Sequence, residues 1–379
     1  MFDSLLKVLE KSLTEFHSHA GLCHLYVHLS EMSADPGRAL QACKILRDRF
    51  PHAGHLIHMA THIDVLVGNY EDCFKYNYKA ILADEQSMKF SPQTSGVESF
   101  YFGYVVHNYH MAVYGGILGA MEKKSMELAN QLSSIVNEEM FQEYPDLTVY
   151  LESYSALEIH TMIRFGRWKE LLEIELPKNK MLMLYRAASI RYGRSLALAA
   201  LGNTVEARKE ADRFDSLRGE PEAKERILHN NTVARLLEVE ASMLRGEIFY
   251  REGNYDQAFT LLRSAVEMQD SLNYDEPWGL MIPIRHALGG LLLEQGHTTE
   301  AEQVFRRDLF FHPKNPWALV GLRECLKKQS GSCCPSSGTG TDKERAAEIS
   351  DIEEQLNTIR QSEYFDFDVV VACECCQRP

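Results

Sequence analysis

The sequence predicts an all-α fold, a right-handed superhelix built from antiparallel helix hairpins. Two observations carry this reading. A Gly-centred turn recurs at Gly68-Asn69-Tyr70, Gly166-Arg167-Trp168, Gly202-Asn203-Thr204, Gly253-Asn254-Tyr255 and Gly296-His297-Thr298, with a weaker copy at Gly119-Ala120-Met121. Between the turns apolar residues return at three- and four-residue intervals, and no alternating run of Val, Ile and Thr competes as a strand. A bundle of unrelated helices is the alternative.

Each element follows from the turn. A glycine just past a helix adopts the left-handed conformation without a Cβ penalty, so it ends the first helix of a hairpin. At three of the turns an aromatic two residues later, Tyr70, Trp168 or Tyr255, can plug the reversal, and the second helix carries Ala80, Ala207, Ala258 or Ala301 where two backbones approach. The best-formed copy runs from Leu288-Gly289 through Gly296 to Thr299-Glu300-Ala301, with Pro313 behind it and Asn315-Pro316-Trp317 opening the next helix. Its order of small, large and small residues closed by proline resembles the tetratricopeptide repeat (TPR). Uneven spacing of the turns implies degenerate units with lengthened helices. Residues 1–329 are read as the TPR-like helical repeat domain, 330–341 as a flexible linker rich in Ser and Gly, and 342–379 as a C-terminal helix with a Cys-rich tail.

The chain has 379 residues, 45% hydrophobic and 25% charged, which excludes disorder as the whole answer. A net charge of -14 repels phosphate backbones, so nucleic acid is excluded as a general partner. The opening segment from Met1 to Lys11 is amphipathic and charged rather than a leader, and no apolar run reaches the about 20 residues of a membrane span. A cytoplasmic location is expected. Cys23, Cys43, Cys73 and Cys325 fall in helical segments and read as small buried hydrophobes, free thiols of a reducing compartment. Cys333, Cys334, Cys373, Cys375 and Cys376 crowd the tail, where lipid attachment would be the one route to a membrane.

The histidines are unevenly placed. Of 15, seven fall in three short patches: His24 and His28; His55, His58 and His62; His107 and His110. His17 and His19 lie just upstream of the first patch. Residues three, four or seven apart share a helix face, and such pairs chelate one metal ion from one helix. Each patch lies on the first helix of its hairpin, and first helices line the concave face of a stacked repeat. Helices packed at roughly 8–10 Å let imidazoles from both sides meet at metal–nitrogen distances of about 2.0–2.1 Å. An all-imidazole set suits a divalent transition metal such as Zn, Cu or Fe. Asp64, Asp84 and Glu98 are candidate carboxylates for completing the shell. The competing reading is a buried network of hydrogen bonds in which Asn77, Tyr104 and Asn108 partner the rings.

Taken together, the three His segments resemble a family of large tetratricopeptide-repeat proteins, widespread in bacteria and found in some eukaryotes. It shows H-x-x-x-H, G-H-x-x-H-M-P-[AS]-H and H-N-x-H in this order. Here these stand as His24 to His28, Gly54 to His62 and His107-Asn108-Tyr109-His110, with Pro283-Ile284-Arg285 and Asn315-Pro316-Trp317-Ala318-Leu319 matching near the end. The resemblance covers roughly residues 15–330 and implies a tetratricopeptide fold, with no reaction attached. Ala60 replaces the family's proline, and members generally carry further repeats upstream of the first patch. Two functions are expected: a scaffold whose His-lined groove binds a protein or peptide, or a metal-dependent enzyme using the His cluster.

Overall fold

The fold was obtained as a computed structural model, which describes residues 2–94, 96–277, 279–330 and 340–370. The expected linker, apart from its ends, and the tail cysteines Cys333, Cys334, Cys373, Cys375 and Cys376 lie outside the described residues, as does Trp278. The described chain is almost entirely helical and divides into two compact units. The first holds the residues up to Gly119 with Phe311–Asn315, the second the remainder.

The first unit begins with α1 (Phe2–Glu15), α2 (Ala20–Glu31), α3 (Leu40–Arg49), α4 (Gly54–Val67), α5 (Tyr70–Phe90) and α6 (Phe100–Leu118). His19 caps α2, its Nδ1 accepting the N–H of Leu22 at 3.2 Å. The residue after α4, Gly68, sits at φ 79°, the left-handed geometry that lets the chain reverse into α5. Packing places α4 against α2, α3, α5 and α6. Its neighbours on the α2 and α3 side are Cys23, Val27, Ala42, Cys43 and Leu46, all buried with Met59, Ala60 and Ile63. Burying each such Leu, Ile or Val side chain contributes about 1.5–3 kcal/mol. Cys23, Cys43, Cys73 and Cys325 are indeed buried free thiols, and burial pushes Cys43, Cys73 and Cys325 up to about 12.

The second unit continues with α7 (Glu122–Ile135), α8 (Glu138–Glu143), α9 (Thr148–Leu151), α10 (Leu157–Arg164), α11 (Trp168–Glu173), α12 (Leu184–Ala200) and α13 (Thr204–Arg218). After α14 (Pro221–Glu225) come α15 (Val233–Arg251), α16 (Tyr255–Asp270), α17 (Ile284–Glu294), α18 (Thr298–Phe311), α19 (Pro316–Ser330) and α20 (Gly340–Arg360). Gly166, Gly202, Gly253 and Gly296 close the hairpins α10–α11, α12–α13, α15–α16 and α17–α18 at φ between 64° and 84°. The weak turn differs: Gly119 stays at φ -86° and Ala120 takes the left-handed position at φ 59°. One short ribbon, β1 (Ile227–Leu228) paired with β2 (Asn231–Thr232), interrupts the helices, too brief to show alternation in sequence. Beyond α20 the chain returns to α7, where Asp366 accepts the backbone N–H groups of Glu122 and Lys123 at 2.6 and 3.2 Å. Phe367 packs its ring against Phe165 and Trp317. Among the described residues no helix is long and apolar enough to cross a membrane.

Candidate metal centre

Three helices of the first unit present the histidines. α2 carries His24, His28 and Glu31, α4 carries His55, His58 and His62, and α6 carries Tyr104 and His107. Because α4 packs against both α2 and α6, its histidines stand between the others. The rings form a chain of close neighbours. His24 lies 5.0 Å from His28 and 5.1 Å from His55, His28 lies 5.4 Å from His62, and His58 lies 4.8 Å from His62 and 4.5 Å from His107, centroid to centroid. Tyr104 covers His55 at 4.1 Å.

The hydrogen bonds assign the tautomers. The Nδ2 group of Asn77 donates to the Cys73 carbonyl at 2.8 Å and to Thr61 Oγ1 at 2.9 Å, so its Oδ1 is the atom facing His58 Nδ1 at 2.6 Å. An amide oxygen only accepts; His58 therefore carries its proton on Nδ1 and turns the Nε2 lone pair inward. The Glu31 carboxylate accepts from His62 Nδ1 at 2.7 Å through one oxygen and from His28 Nδ1 at 2.7 Å through the other. The His58 and His62 Nε2 atoms face each other at 2.9 Å, inside a region where both side chains are buried. Two lone pairs at that distance repel unless a cation lies between or beside them. A proton on one ring satisfies the gap, and so does a metal ion.

The surroundings favour ligation. One nitrogen each of His58, His62 and His107 lie within 4.8 Å of one another. Two imidazoles on one tetrahedral ion at bond lengths of about 2.0–2.1 Å have nitrogens about 3.3 Å apart, so the His58–His62 pair needs only small ring movements. Tying the far nitrogen of a ligating histidine to an amide or carboxylate is the usual outer-shell arrangement, and here Asn77 and Glu31 supply it. Burial, reinforced by the neighbouring imidazoles, holds His24 below the usual range, His55 at about 4 and His58 well below 6.5. These rings therefore stay neutral, the form that binds metal. Burial alone would push the Glu31 carboxyl up, but His62 and His28 outweigh it and keep it ionised. Among the described residues the buried His24 Nε2 and His55 Nδ1 have no hydrogen-bond partner, two further ligand atoms at the edge of the cluster.

His110 stands apart from the convergent set; it is only 8% exposed and belongs to no group of ligand atoms close enough to share an ion among the described residues. The anticipated carboxylates also have other work. Asp84 accepts from Tyr101 at 2.6 Å and Asn108 at 2.7 Å, and burial raises it to about 6. Asp64 pairs with Arg47, and Glu98 is solvent-exposed. The carboxylate at the site is Glu31, which sequence reasoning missed although it lies three residues after His28 and seven after His24. Of the expected network, Asn77 holds His58, Asn108 holds Asp84, and Tyr104 lies against His55 with its ring tilted.

The tetratricopeptide repeat family matches residues 218–272, a stretch that contains α15, the Gly253 turn and α16. No curated protein matches the chain.

Proposed function

We propose that this tetratricopeptide repeat protein binds a divalent transition metal in its first unit, through His58, His62 and His107, and that its helical repeats bind a protein or peptide partner. The observation that carries the metal reading is the Nε2–Nε2 approach of 2.9 Å between His58 and His62, with each far nitrogen already committed to Asn77 or Glu31. His107 supplies the third donor. Three imidazoles leave a position for water or a substrate atom, as in catalytic zinc sites, and the nitrogen set suits Zn, Cu or Fe. His24, His28 and His55 form the outer rank, with His28 sharing the Glu31 carboxylate. The repeat supports the scaffold half of the reading, since stacked helix pairs offer extended surfaces for partners.

Elemental analysis of the purified full chain, loaded with zinc and freed of excess by gel filtration, tests the metal. About one ion per chain is expected in the wild type and none in the His58→Ala, His62→Ala double variant, with helical circular dichroism retained in both. Absence of stoichiometric metal from the loaded wild type would overturn the reading and leave a proton-sharing network instead.

A further inference from the structure

In the second unit, α10, α12, α15, α17 and the segment leading into α17 surround a cavity of about 40 Å³. Its wall is mostly apolar, including Ile163, Leu196, Met243 and Met281, and among the described residues no lysine or arginine lines it. Glu240 of α15 lines it as well, 3% exposed, and among the described residues neither of its buried carboxyl oxygens has a hydrogen-bond partner. Of the other polar lining groups, His160 Nε2 meets the Tyr185 hydroxyl at 3.3 Å, and His286 Nε2 meets Asp308 at 2.8 Å.

A buried carboxyl with neither oxygen satisfied is costly and rare in folded proteins, and such a group calls for a partner from outside the chain. Burial pushes Glu240 up to about 8, as expected of an acid with no compensating charge. A metal ion is a poor partner here, because among the described residues Glu240 is not one of three ligand atoms close enough to share an ion. The space is also small. A cavity of about 10–15 Å³ already admits one water, so this one holds a compact head group of a few heavy atoms rather than a drug-sized body. A head that is cationic, donates hydrogen bonds and continues into methylenes fits both the acid and the wall.

We propose that the Glu240 cavity is a slot for the ammonium head of a primary alkylamine, with Glu240 pairing the charge and Met243, Met281, Ile163 and Leu196 covering the first carbons. A free alkylamine and a lysine side chain share this chemistry. The slot lies wholly in the second unit and stands or falls independently of the metal centre.

Calorimetric titration of the full chain with n-butylamine and n-butanol, at high salt to screen the acidic surface, tests the proposal. Butylamine is expected to bind at least about tenfold more tightly than the isosteric alcohol, and Glu240→Gln to weaken the amine about thirtyfold while leaving circular dichroism unchanged. Should Glu240→Gln not fold, Ala287→Leu, which adds bulk to the lining of the slot and spares the acid, is expected to abolish amine binding. N-acetyl-lysine amide separates the sources: binding equal to butylamine assigns the slot to a lysine side chain, and weaker binding assigns it to a free amine. No discrimination between amine and alcohol in the wild type, or undiminished amine affinity in either folded variant, would overturn the proposal.

Discussion

Glu31 touches His28 with one carboxylate oxygen and His62 with the other, each at 2.7 Å, so one side chain orients two rings from different helices. Its charge also raises the basicity of the His62 nitrogen that points into the cluster, the role outer-shell carboxylates play beside metal-bound imidazoles. Glu31→Gln keeps the size and one acceptor but removes the charge and faces one ring with an N–H. The expected result is zinc affinity about 10–100-fold weaker, measured by competition with a chromogenic chelator. Unchanged affinity would remove Glu31 from the site. The histidine patches were legible in the sequence because residues three or four apart on one helix share a face whatever the tertiary fold. The partnership of His62 with Glu31 was not, because it depends on how α2 lies against α4. His107 and His110 show the limit of the same rule: three residues turn a helix about 300°, leaving about 60° between the two directions. That angle leaves His107 half-buried at the cluster and His110 buried apart from it.

The helices that carry the site are spaced by a contact at the start of α4. Gly54 lies against α5 so closely that a Cβ there would meet Asp84 Oδ1 at 1.9 Å and the Ala80 carbonyl at 2.9 Å. Asp84 cannot easily swing away, since Tyr101 and Asn108 of α6 donate to its two oxygens. This one carboxyl therefore ties α5 to α6 and sets how near α4 approaches. Gly54→Ala must push α4 outward or break those hydrogen bonds. A loss of about 1–3 kcal/mol is expected, read as an earlier urea midpoint, with weakened zinc binding because the histidine helix moves. A midpoint equal to wild type would show that the approach is less tight than the geometry implies. At this scale the Gly-centred turns were readable, since only glycine takes φ near 80° freely. The turn at Ala120 was misplaced by one residue because a β-carbon at φ 59° is tolerated when surrounding structure holds it, which no local pattern announces.

Across the whole chain, buried titratable groups decide how stability follows pH. Burial pushes Glu240 up to about 8 and Asp275 to about 7, from ordinary values of 4.5 and 3.8. Burial moves His160 and His229 the other way, to about 4 from 6.5. Between pH 4 and 6.5 the unfolded chain holds histidine protons that the folded chain lacks, while the folded chain holds acid protons that the unfolded chain has released. The two contributions oppose each other in that window. From about pH 7.5 upward the histidines are almost wholly neutral in both states, and the acids dominate the difference. There the folded state binds more protons, so stability must fall as pH rises toward 8. Each extra proton held by the folded chain contributes at most about 1.4 kcal/mol per pH unit. Buried Cys43, Cys73 and Cys325, held at about 12 against an ordinary 9.0, extend the decline with the same sign at higher pH. Thermal unfolding at fixed ionic strength is therefore expected to give a Tm that falls from about pH 7.5 to about pH 8.5, with a shallower fall in Glu240→Gln, which removes one of the raised acids and leaves Asp275 and Glu152. A flat or rising profile in the wild type, or parallel profiles in the pair, would mean that Glu240 has a partner that keeps it ionised in the folded chain.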